Sequence, residues 1–542
     1  MKTLPALLIA LIGFALPVRA HVGSPDVFVD DHAGPYRLFV TVRVPQVIPG
    51  IADIEIRSET NDIREIRVAP MQLTGPGSQL APVPDIAQRS KTDPQFFTGS
   101  LWLMEFGSLQ VRIDADGARG HGELSVPVPA TAQRTLPMSR FLGILLSSLV
   151  VILVFALISI VAAAVREASL EPGAAVTRAT ARRARVAGIM ASFVIIALLL
   201  VGGAWWKSEA NRYASHIYTP PLIETQLEDG PAAGNGQQAA KLVLREQPAH
   251  IAAGNPRRDA EPSNLKDIIP DHNHLMHFFI IRTPAMDSFW HLHPEPGVGA
   301  DAGAFIVNLP PLPAGHYQLF ADVVMRSGFP VTMVGQIDLP NVQANMQGNV
   351  QANTQAGKGA EISGTPLAGD DSGIVAHPLA GAGPDTSVSP LEDGGRMIWE
   401  REANPIKAPI RANVPLMFRF RVVDGAGKPA ADLEPYMGMA VHAEIVRSDG
   451  SVFAHVHPSG SAAMAAMELA QASAPGNPQT LKPDEGSGSG MPGMPSMVMP
   501  GDHVDPEISF PYGFPNPGRY RIFVQVKRSG KIQTGVFDVT VE

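Results

Sequence analysis

Two uninterrupted apolar segments constrain the fold of this chain more than any other feature. Phe141 to Val165 lies between two arginines, and Val186 to Trp206 ends in a tryptophan pair. Each segment is long enough to cross a bilayer as a helix, and tryptophan is enriched at membrane interfaces. We therefore predict a transmembrane helical hairpin at residues 139–206, with the lipid bilayer as a partner of the chain.

The expected orientation of the hairpin follows from charge. The predicted loop between the two segments is basic and carries Arg166, Arg178, Arg182, Arg183 and Arg185. Such a loop stays in the cytoplasm. Residues 1–20 read as a cleavable secretory signal, which would leave His21 as the first residue of the mature chain on the outer side. Both arguments place the other domains outside the cytoplasm.

Composition narrows the compartment and the class of partner. The 542 residues include no cysteine, and no Asn-x-Ser/Thr acceptor occurs. Exported domains without disulfides or glycosylation acceptors favour the periplasmic side of a bacterial inner membrane. The net charge of −9 argues against a nucleic-acid partner. Without thiolate, a cysteine-ligated copper site is excluded.

An internal duplication is visible in the second half of the chain. The segment PAGHYQLF, which begins at Pro313, recurs as PGRYRIF, which begins at Pro517, and RSG follows each copy. Self-similarity of this kind indicates a repeated domain. The repeats also share their histidine pattern: DHNHLMH and HLHP in the first correspond to MGMAVH and HVHP in the second.

Short runs rich in Val, Ile and aromatic residues alternate with Gly, Pro and Asp outside the hairpin, and this pattern is typical of strands. We predict a mainly β chain with three Ig-like, β-sandwich-type domains and the two-helix hairpin. The expected boundaries are a signal peptide at 1–20, a first β-domain at 21–138, the hairpin at 139–206, a linker at 207–240, repeat copy 1 at 241–340, a flexible linker at 341–394, and copy 2 at 395–542 with a Met-rich insertion at 459–505. Within that insertion, MAAMELAQ is a candidate short helix.

The repeated histidines are the candidate metal ligands, because imidazole commonly binds transition metals. Eight of the sixteen histidines fall in the two repeated windows. Read as extended strands, the windows would gather ligands at one end of each sandwich. The candidates are His272, His274, His277, His291 and His293 in copy 1, and Met437, Met439, His442, His455 and His457 in copy 2. Thioether is suited to Cu(I), so copper is the favoured ion.

Other interpretations remain open at the level of sequence. The histidines could be structural, in an interaction scaffold of an envelope complex. Alternatively, His21 could chelate copper with its own amine and a second imidazole, from His32 or His121, in an oxidative enzyme. No catalytic constellation is recognisable, so we expect a non-catalytic protein that stores a metal ion or passes it to a periplasmic donor or acceptor protein.

Several segments resemble an uncharacterised group of bacterial membrane-anchored envelope proteins: HVGSPDVFVDDHAGPY, the hairpin with its Arg-rich loop, EPYMGMAVH, DGSVFAHVHPSG and FPYGFPNPGRYRIFVQVKRSG. The resemblance covers nearly the whole chain and implies the architecture, but no activity. The His-Met β-units are more loosely similar to small periplasmic copper-handling domains.

Overall fold

A computed structural model shows a mainly β protein with six antiparallel sheets and two long helices, as predicted. It describes residues 24–168, 170, 171, 173–232, 238–246, 267–339, 365–379, 384–401, 409–472 and 504–542. The predicted signal segment 1–20, His21 and the Met-rich run 491–500 lie outside these residues. The chain divides into two units, residues 131–218 and the remainder.

The first β-domain is a sandwich of a five-stranded sheet, in the order β1-β2-β3-β7-β6, and a four-stranded sheet, in the order β5-β4-β8-β9. Its strands are β1 Val27–Ala33, β2 Tyr36–Arg43, β3 Gly50–Ser58, β4 Ile63–Gln72, β5 Asp85–Ile86, β6 Gln88–Arg89, β7 Phe96–Leu103, β8 Gly107–Gly117 and β9 Gly120–Ala130. A single 3-10 turn lies at Pro76–Gln79. Alternate residues such as Leu38, Val40 and Val42 point inward from β2, as the period of two in a strand requires.

The helical unit contains α1 Arg140–Glu167 and α2 Arg178–Ser215. The most apolar part of α1 has a mean hydropathy of 3.1, and 0% of it is buried. The most apolar part of α2 has a mean hydropathy of 2.5, and 6% of it is buried. Both helices are long and apolar enough to cross a membrane, and such exposure differs from that of a core helix. They pack closely near Gly188, where a Cβ would lie 3.6 Å from that of Ala162.

The second helix is longer than the sequence indicated, because its ends are polar. It begins after a capping box formed by Thr177 and Thr180, so four of the arginines assigned to the loop lie in its first turns. Its 38 residues extend about 57 Å, against about 30 Å for the bilayer hydrocarbon. Residues 207–215, predicted as linker, belong to this helix.

The first repeat, called module 1 below, is a second sandwich. Its strands are β10 Ile223–Ala232, β11 Gln238–Glu246, β12 Ile268–Ile269, β13 His277–Thr283, β14 Ser288–Leu292, β15 Glu295–Pro296, β16 Phe305–Asn308, β17 Gly315–Met325, β18 Pro330–Leu339 and β19 Ser372–Val375. One sheet has the order β10-β11-β16-β15; the other has the order β12-β17-β13-β14-β19, with β18 also paired to β17. A 3-10 turn lies at Gly299–Asp301.

The second repeat, module 2, has the same plan. Its elements are β20 Val388–Pro390, β21 Arg396–Trp399, β22 Leu416–Val423, β23 Leu433–Glu434, β24 His442–Arg447, β25 Phe453–Val456, α3 Met464–Ala472, β26 Glu507–Tyr512, β27 Gly518–Arg528 and β28 Lys531–Val541. The sheets have the orders β20-β21-β22-β26 and β23-β27-β24-β25, with β28 paired to β27. The stretch MAAMELAQ falls within α3.

Two segments that were predicted to be linkers contain strands. Strand β10 lies where the linker 207–240 was expected, and it pairs with β11 in register from Ile223. Strands β19 and β20 lie within the expected flexible linker 341–394. These segments have few large apolar residues, so their composition resembles that of a tether. They gain order by pairing at the edge of existing sheets.

The two modules pack against each other through their equivalent sheets. Phe289 of module 1 stacks on Phe523 of module 2 with ring centroids 4.2 Å apart, and Phe320 stacks on Phe453 at the same distance. The repeat alignment makes Phe289 equivalent to Phe453 and Phe320 equivalent to Phe523. The two contacts are therefore exchanged by a pseudo-two-fold relation, as at an isologous dimer interface.

Module 2 also contacts the first β-domain. The backbone of Phe28 and Asp30 bonds to that of the turn after β25: Asp30 N–H donates to Ser459 O at 2.9 Å, and Ser461 N–H donates to Phe28 O at 2.9 Å. Apolar side chains of module 2, including Met464 and Met467 of α3, lie in the core of the first domain.

Candidate metal centre

The sheet register brings the histidines of module 1 onto the face that contacts module 2. In β13 and β14, Phe279 pairs with His291, and His277 lies two residues earlier on the same face. The opposite face, with Phe278 and Ile280, fills the module's own core. Both faces of β13 are buried, which explains its continuous apolar sequence.

His272 reaches the same place from a tight turn. Asp271 and His274 exchange two backbone hydrogen bonds of 2.8 and 2.9 Å, and the two residues between them have φ values of 50° and 67°. Asparagine at position 273 suits this left-handed conformation. The equivalent turn in module 2 has Met437 and Gly438 at its tip, with φ values of 50° and 77°. The prediction of an extended strand was wrong here.

The histidines of both modules form one continuous cluster, within which two groups of possible ligands lie side by side. Successive rings are in contact, with centroid distances between 3.8 and 5.9 Å among neighbours. The members are His272, His274, His277, His291, His293, His442, His455 and His457. The module 1 residues His277, His291 and His293 are equivalent to His442, His455 and His457.

Three of these residues, His277, His291 and His293, form what we call the module 1 group. One ring nitrogen from each lies within 4.8 Å of the others. The remaining nitrogen of each ring is hydrogen-bonded to an oxygen: His277 Nε2 to Asp271 O at 3.1 Å, His291 Nδ1 to Gln525 Oε1 at 3.0 Å, and His293 Nδ1 to Asp371 Oδ1 at 3.0 Å. This second contact is typical of metal-binding histidine, because it fixes the tautomer and the ring orientation.

The inner nitrogens of this group face each other. His277 Nδ1 lies 3.1 Å from His291 Nε2, and it carries a lone pair, because His277 Nε2 donates to the carbonyl of Asp271. The inner nitrogen of His293, Nε2, is buried without a hydrogen-bond partner in the described structure. On a tetrahedral ion with metal–nitrogen distances of about 2.0–2.1 Å, two nitrogens lie about 3.3 Å apart. The observed spacing therefore suits a shared cation.

A second set, His272, His442 and His457, also has ligand nitrogens within 4.8 Å of one another. We call it the bridging group, because His272 belongs to module 1 and the other two residues belong to module 2. His272 Nδ1 donates to Met437 O at 3.1 Å, which leaves its Nε2 buried and without a partner in the described structure. Neither nitrogen of the fully buried His442 has one.

Burial keeps these imidazoles neutral, the state in which they bind metal. Desolvation holds the pKa of His277, His291, His442 and His457 well below the ordinary value, and neighbouring imidazoles lower it further. The pKa values of His272 and His293 are also lowered, mainly by burial. Six uncharged imidazoles are compatible with close packing, whereas imidazolium groups at these distances would repel one another.

A buried carboxyl group lies beside the imidazoles. Glu444 is fully buried, and its Oε1 lies 3.8 Å from His291 Nδ1 and 4.0 Å from His455 Nε2. Neither of its oxygens has a hydrogen-bond partner among the described residues, and burial raises its pKa well above the ordinary value. His455 Nδ1 also lies 3.6 Å from Asp322 Oδ2.

The remaining candidates are placed differently. His274 stacks on His293 at 3.8 Å and lies 3.5 Å from Asp370, so it flanks the module 1 group. Met439 packs in the apolar core of the first β-domain, and Met437 contributes its carbonyl oxygen to His272. The thioether of Met439 is therefore directed away from the imidazoles. His32 and His121 are exposed and lie beside Asp31 and Asp116.

Three polar residues of the site were not predicted from the sequence. Glu444 is hidden in the apolar run HAEIVR, where it occupies the position of Phe279 in module 1. Asp371 lies in the segment predicted to be a tether, and Gln525 lies on β27, far away in sequence. The repeat alignment pairs Glu444 with Phe279. It could therefore have shown that an acidic residue replaces a buried aromatic one.

Residues 403–542 match a family model described as a domain of unknown function, DUF8832. The match lies largely within module 2. It is consistent with the resemblance to an uncharacterised family and assigns no activity. No curated protein matches the chain.

Among solved structures, the tetra-tandem repeat of the extending region of a large adhesion protein is 10% identical, with coverage of 92% of this chain and 97% of that one and a TM-score of 0.15. Salmonella alpha-2-macroglobulin is 7% identical, with coverage of 96% and 24% and a TM-score of 0.19. The ICAM-5 D1-D4 ectodomain fragment is 8% identical, with coverage of 94% and 77% and a TM-score of 0.15. Similarity at this level supports no inference about function.

Proposed function

We propose that the protein is anchored in the bacterial inner membrane and binds a transition metal ion on the periplasmic side. The ion would be held by the module 1 group. The single observation that carries this proposal is the approach of His277 Nδ1 to His291 Nε2, at 3.1 Å, with each opposite nitrogen bound to an oxygen acceptor. The third inner nitrogen, His293 Nε2, is buried without a hydrogen-bond partner among the described residues, and such an unsatisfied group costs about 1–3 kcal/mol unless a ligand binds it.

Copper is the first candidate for the ion, on the basis of the donor set. Three neutral imidazole nitrogens suit Cu(II), Zn(II) and Ni(II), and the Irving–Williams order favours Cu(II) at any site of this type. Zinc is the runner-up. Thioether ligation of Cu(I) by Met439 is not favoured, because Met439 lies in an apolar core.

Storage or transfer of the ion suits this group better than catalysis. The side chains of His291 and His293 are 0% and 4% exposed, so a bound ion would be shielded from a substrate in solution. Release would require a local opening, for which a periplasmic donor or acceptor protein is the natural partner. The membrane anchor would keep the ion close to the inner membrane.

The proposed location is supported by α1, α2 and their charge. The two helices have the length and hydropathy of membrane spans. Basic residues lie at the C-terminal end of α1 and at the N-terminal end of α2. The positive-inside rule would put these ends in the cytoplasm and the β-domains in the periplasm.

Metal uptake by the full-length protein in detergent tests the proposal. Protein stripped with chelator, then loaded with Cu(II) or Zn(II) and dialysed, is expected to retain metal and to unfold at a higher temperature. The paired change His291→Ala with His293→Ala should abolish uptake at the module 1 group. His316→Ala is the matched control, because His316 is in the same sheet but exposed, beside Asp338. Absence of retained metal and of any thermal shift would favour the scaffold interpretation.

A further inference from the structure

The bridging group has the same origin as the module 1 group. Two of its members, His442 and His457, are the repeat equivalents of His277 and His293. The strand partners are also equivalent: His442 pairs with Gln525 across β24 and β27, as His277 pairs with Asp322 across β13 and β17. The duplication has thus produced two groups of imidazoles within the cluster at the interface of the modules.

The bridging group is completed by a residue from the other module. His272 is held at the tip of its turn, and its Nδ1 donates to Met437 O, the carbonyl of the equivalent turn in module 2. Its ring lies 5.1 Å from that of His442 and 4.8 Å from that of His457. This ring therefore spans the boundary between the two repeats.

The nitrogens of the bridging group have an unmet requirement for a partner. His442 is fully buried, and neither of its nitrogens has a hydrogen bond with a described residue. His272 Nε2 is in the same condition. Buried polar atoms are nearly always paired, so unpaired nitrogens that converge within 4.8 Å point to a ligand that accepts their lone pairs.

We infer that the bridging group binds a second transition metal ion, so that the protein holds a pair of ions at the interface of its repeats. This inference rests on the proposed function of the module 1 group. The two groups are neighbours: the rings of His272 and His277 are 5.9 Å apart, and the ring of His455 contacts members of both groups. Binding of the second ion requires both modules, so it ties them together.

Two cations at such close range repel each other, and the cluster contains the acidic groups needed to offset this. Glu444 lies between His291 and His455, and Asp322 lies on the other side of His455. Asp371 and Asp370 flank His293 and His274. A cation bound beside Glu444 would favour its ionised form, because an opposite charge at close range stabilises the carboxylate.

Metal stoichiometry of matched variants tests the inference in the full-length protein, loaded with Cu(II) or Zn(II) and dialysed. His272→Asn removes a bridging ligand and retains a residue type that accepts the positive φ of the turn. His293→Gln removes a ligand of the module 1 group. His316→Ala is again the control. Circular dichroism of each variant checks that the β-fold is retained, and His457→Gln replaces His272→Asn if that variant fails to fold.

We expect two bound ions in the unmodified protein and one in each single variant. A variant that carries both His272→Asn and His293→Gln should bind none. One ion in the unmodified protein, lost from His293→Gln and retained by His272→Asn, would overturn the second site and leave the proposed function intact. One ion lost from both variants would mean a single shared site and would also overturn the inference. No bound ion at all would overturn both.

Discussion

His277 Nδ1 lies 3.1 Å from His291 Nε2, on adjacent strands and at the boundary between two repeated β-modules. Each ring is held in its orientation by a second hydrogen bond. Asp271 O orients the ring of His277, and Gln525 Oε1 orients the ring of His291. Gln525 belongs to module 2. The geometry of a pair of module 1 histidines therefore depends on packing against the other repeat.

Removal of the Gln525 amide should weaken metal binding although no ligand is lost. In Gln525→Leu the His291 ring loses the acceptor that orients it, and such changes typically reduce affinity about 10–100-fold. A competition titration with a chromogenic chelator measures the effect. Gln318→Leu is the control, since Gln318 also links the modules, through Gly450 O, but contacts no histidine of the cluster. Equal affinities for the two variants would contradict this role.

Truncation at the apolar interface should be costly if the modules pack as described. Phe289 and Phe453 are fully buried and stack on Phe523 and Phe320. Phe289→Ala and Phe453→Ala should each lower the free energy of unfolding by about 3–5 kcal/mol. Thermal unfolding of the full-length protein measures the loss. Effects of about 0.5 kcal/mol or less, typical of surface sites, would mean that the modules are separate.

A buried ion pair makes a second link between the modules. Arg521 of module 2 is fully buried, forms two hydrogen bonds of 2.7 and 2.8 Å with Asp538, and donates to Met286 O and His377 O of module 1. Asp538→Ala would leave the buried charge of Arg521 unpaired. This change should lower the free energy of unfolding by about 3–5 kcal/mol.

The double change Arg521→Met with Asp538→Leu should recover part of this stability, because no buried charge remains. Thermal unfolding of the single and double variants checks the difference. A double variant less stable than Asp538→Ala would contradict the unpaired charge as the cause.

The absence of cysteine from the sequence allows a direct test of topology. Lys91→Cys places a thiol on the exposed surface of the first β-domain, and Ala174→Cys places one between the two helices. A maleimide that permeates the outer membrane but not the inner membrane should label the first in intact cells. It should label the second only after lysis. The reverse pattern would contradict the proposed orientation.

Local patterns in the sequence predicted the sandwiches, the helices and the equivalence of the repeats. Interaction between distant segments was harder to predict. The run HFFIIRT was read as a strand, and its lack of alternation, which follows from burial on both faces, was the available sign that a second module covers it. Asn273 and Gly438 were likewise available signs of left-handed turns.

The polar partners could not have been found in this way. Asp371 lies in a segment with the composition of a tether, and it becomes part of the site only because β19 pairs with β14. Gln525 lies 234 residues from His291 in sequence. Met439 was assigned as a ligand by its alignment with His274, but contact with the first domain directs it into an apolar core.

X-ray absorption spectroscopy of the full-length protein, loaded with Cu(II) or Zn(II) and freed of excess metal, tests most directly whether the buried imidazoles hold the ion. We predict nitrogen at about 2.0–2.1 Å with the multiple scattering of histidine rings, and no sulfur near 2.3 Å. The imidazole signal should be lost in His291→Ala with His293→Ala and His442→Ala. A spectrum dominated by sulfur or by water oxygen, or unchanged in that variant, would contradict the account.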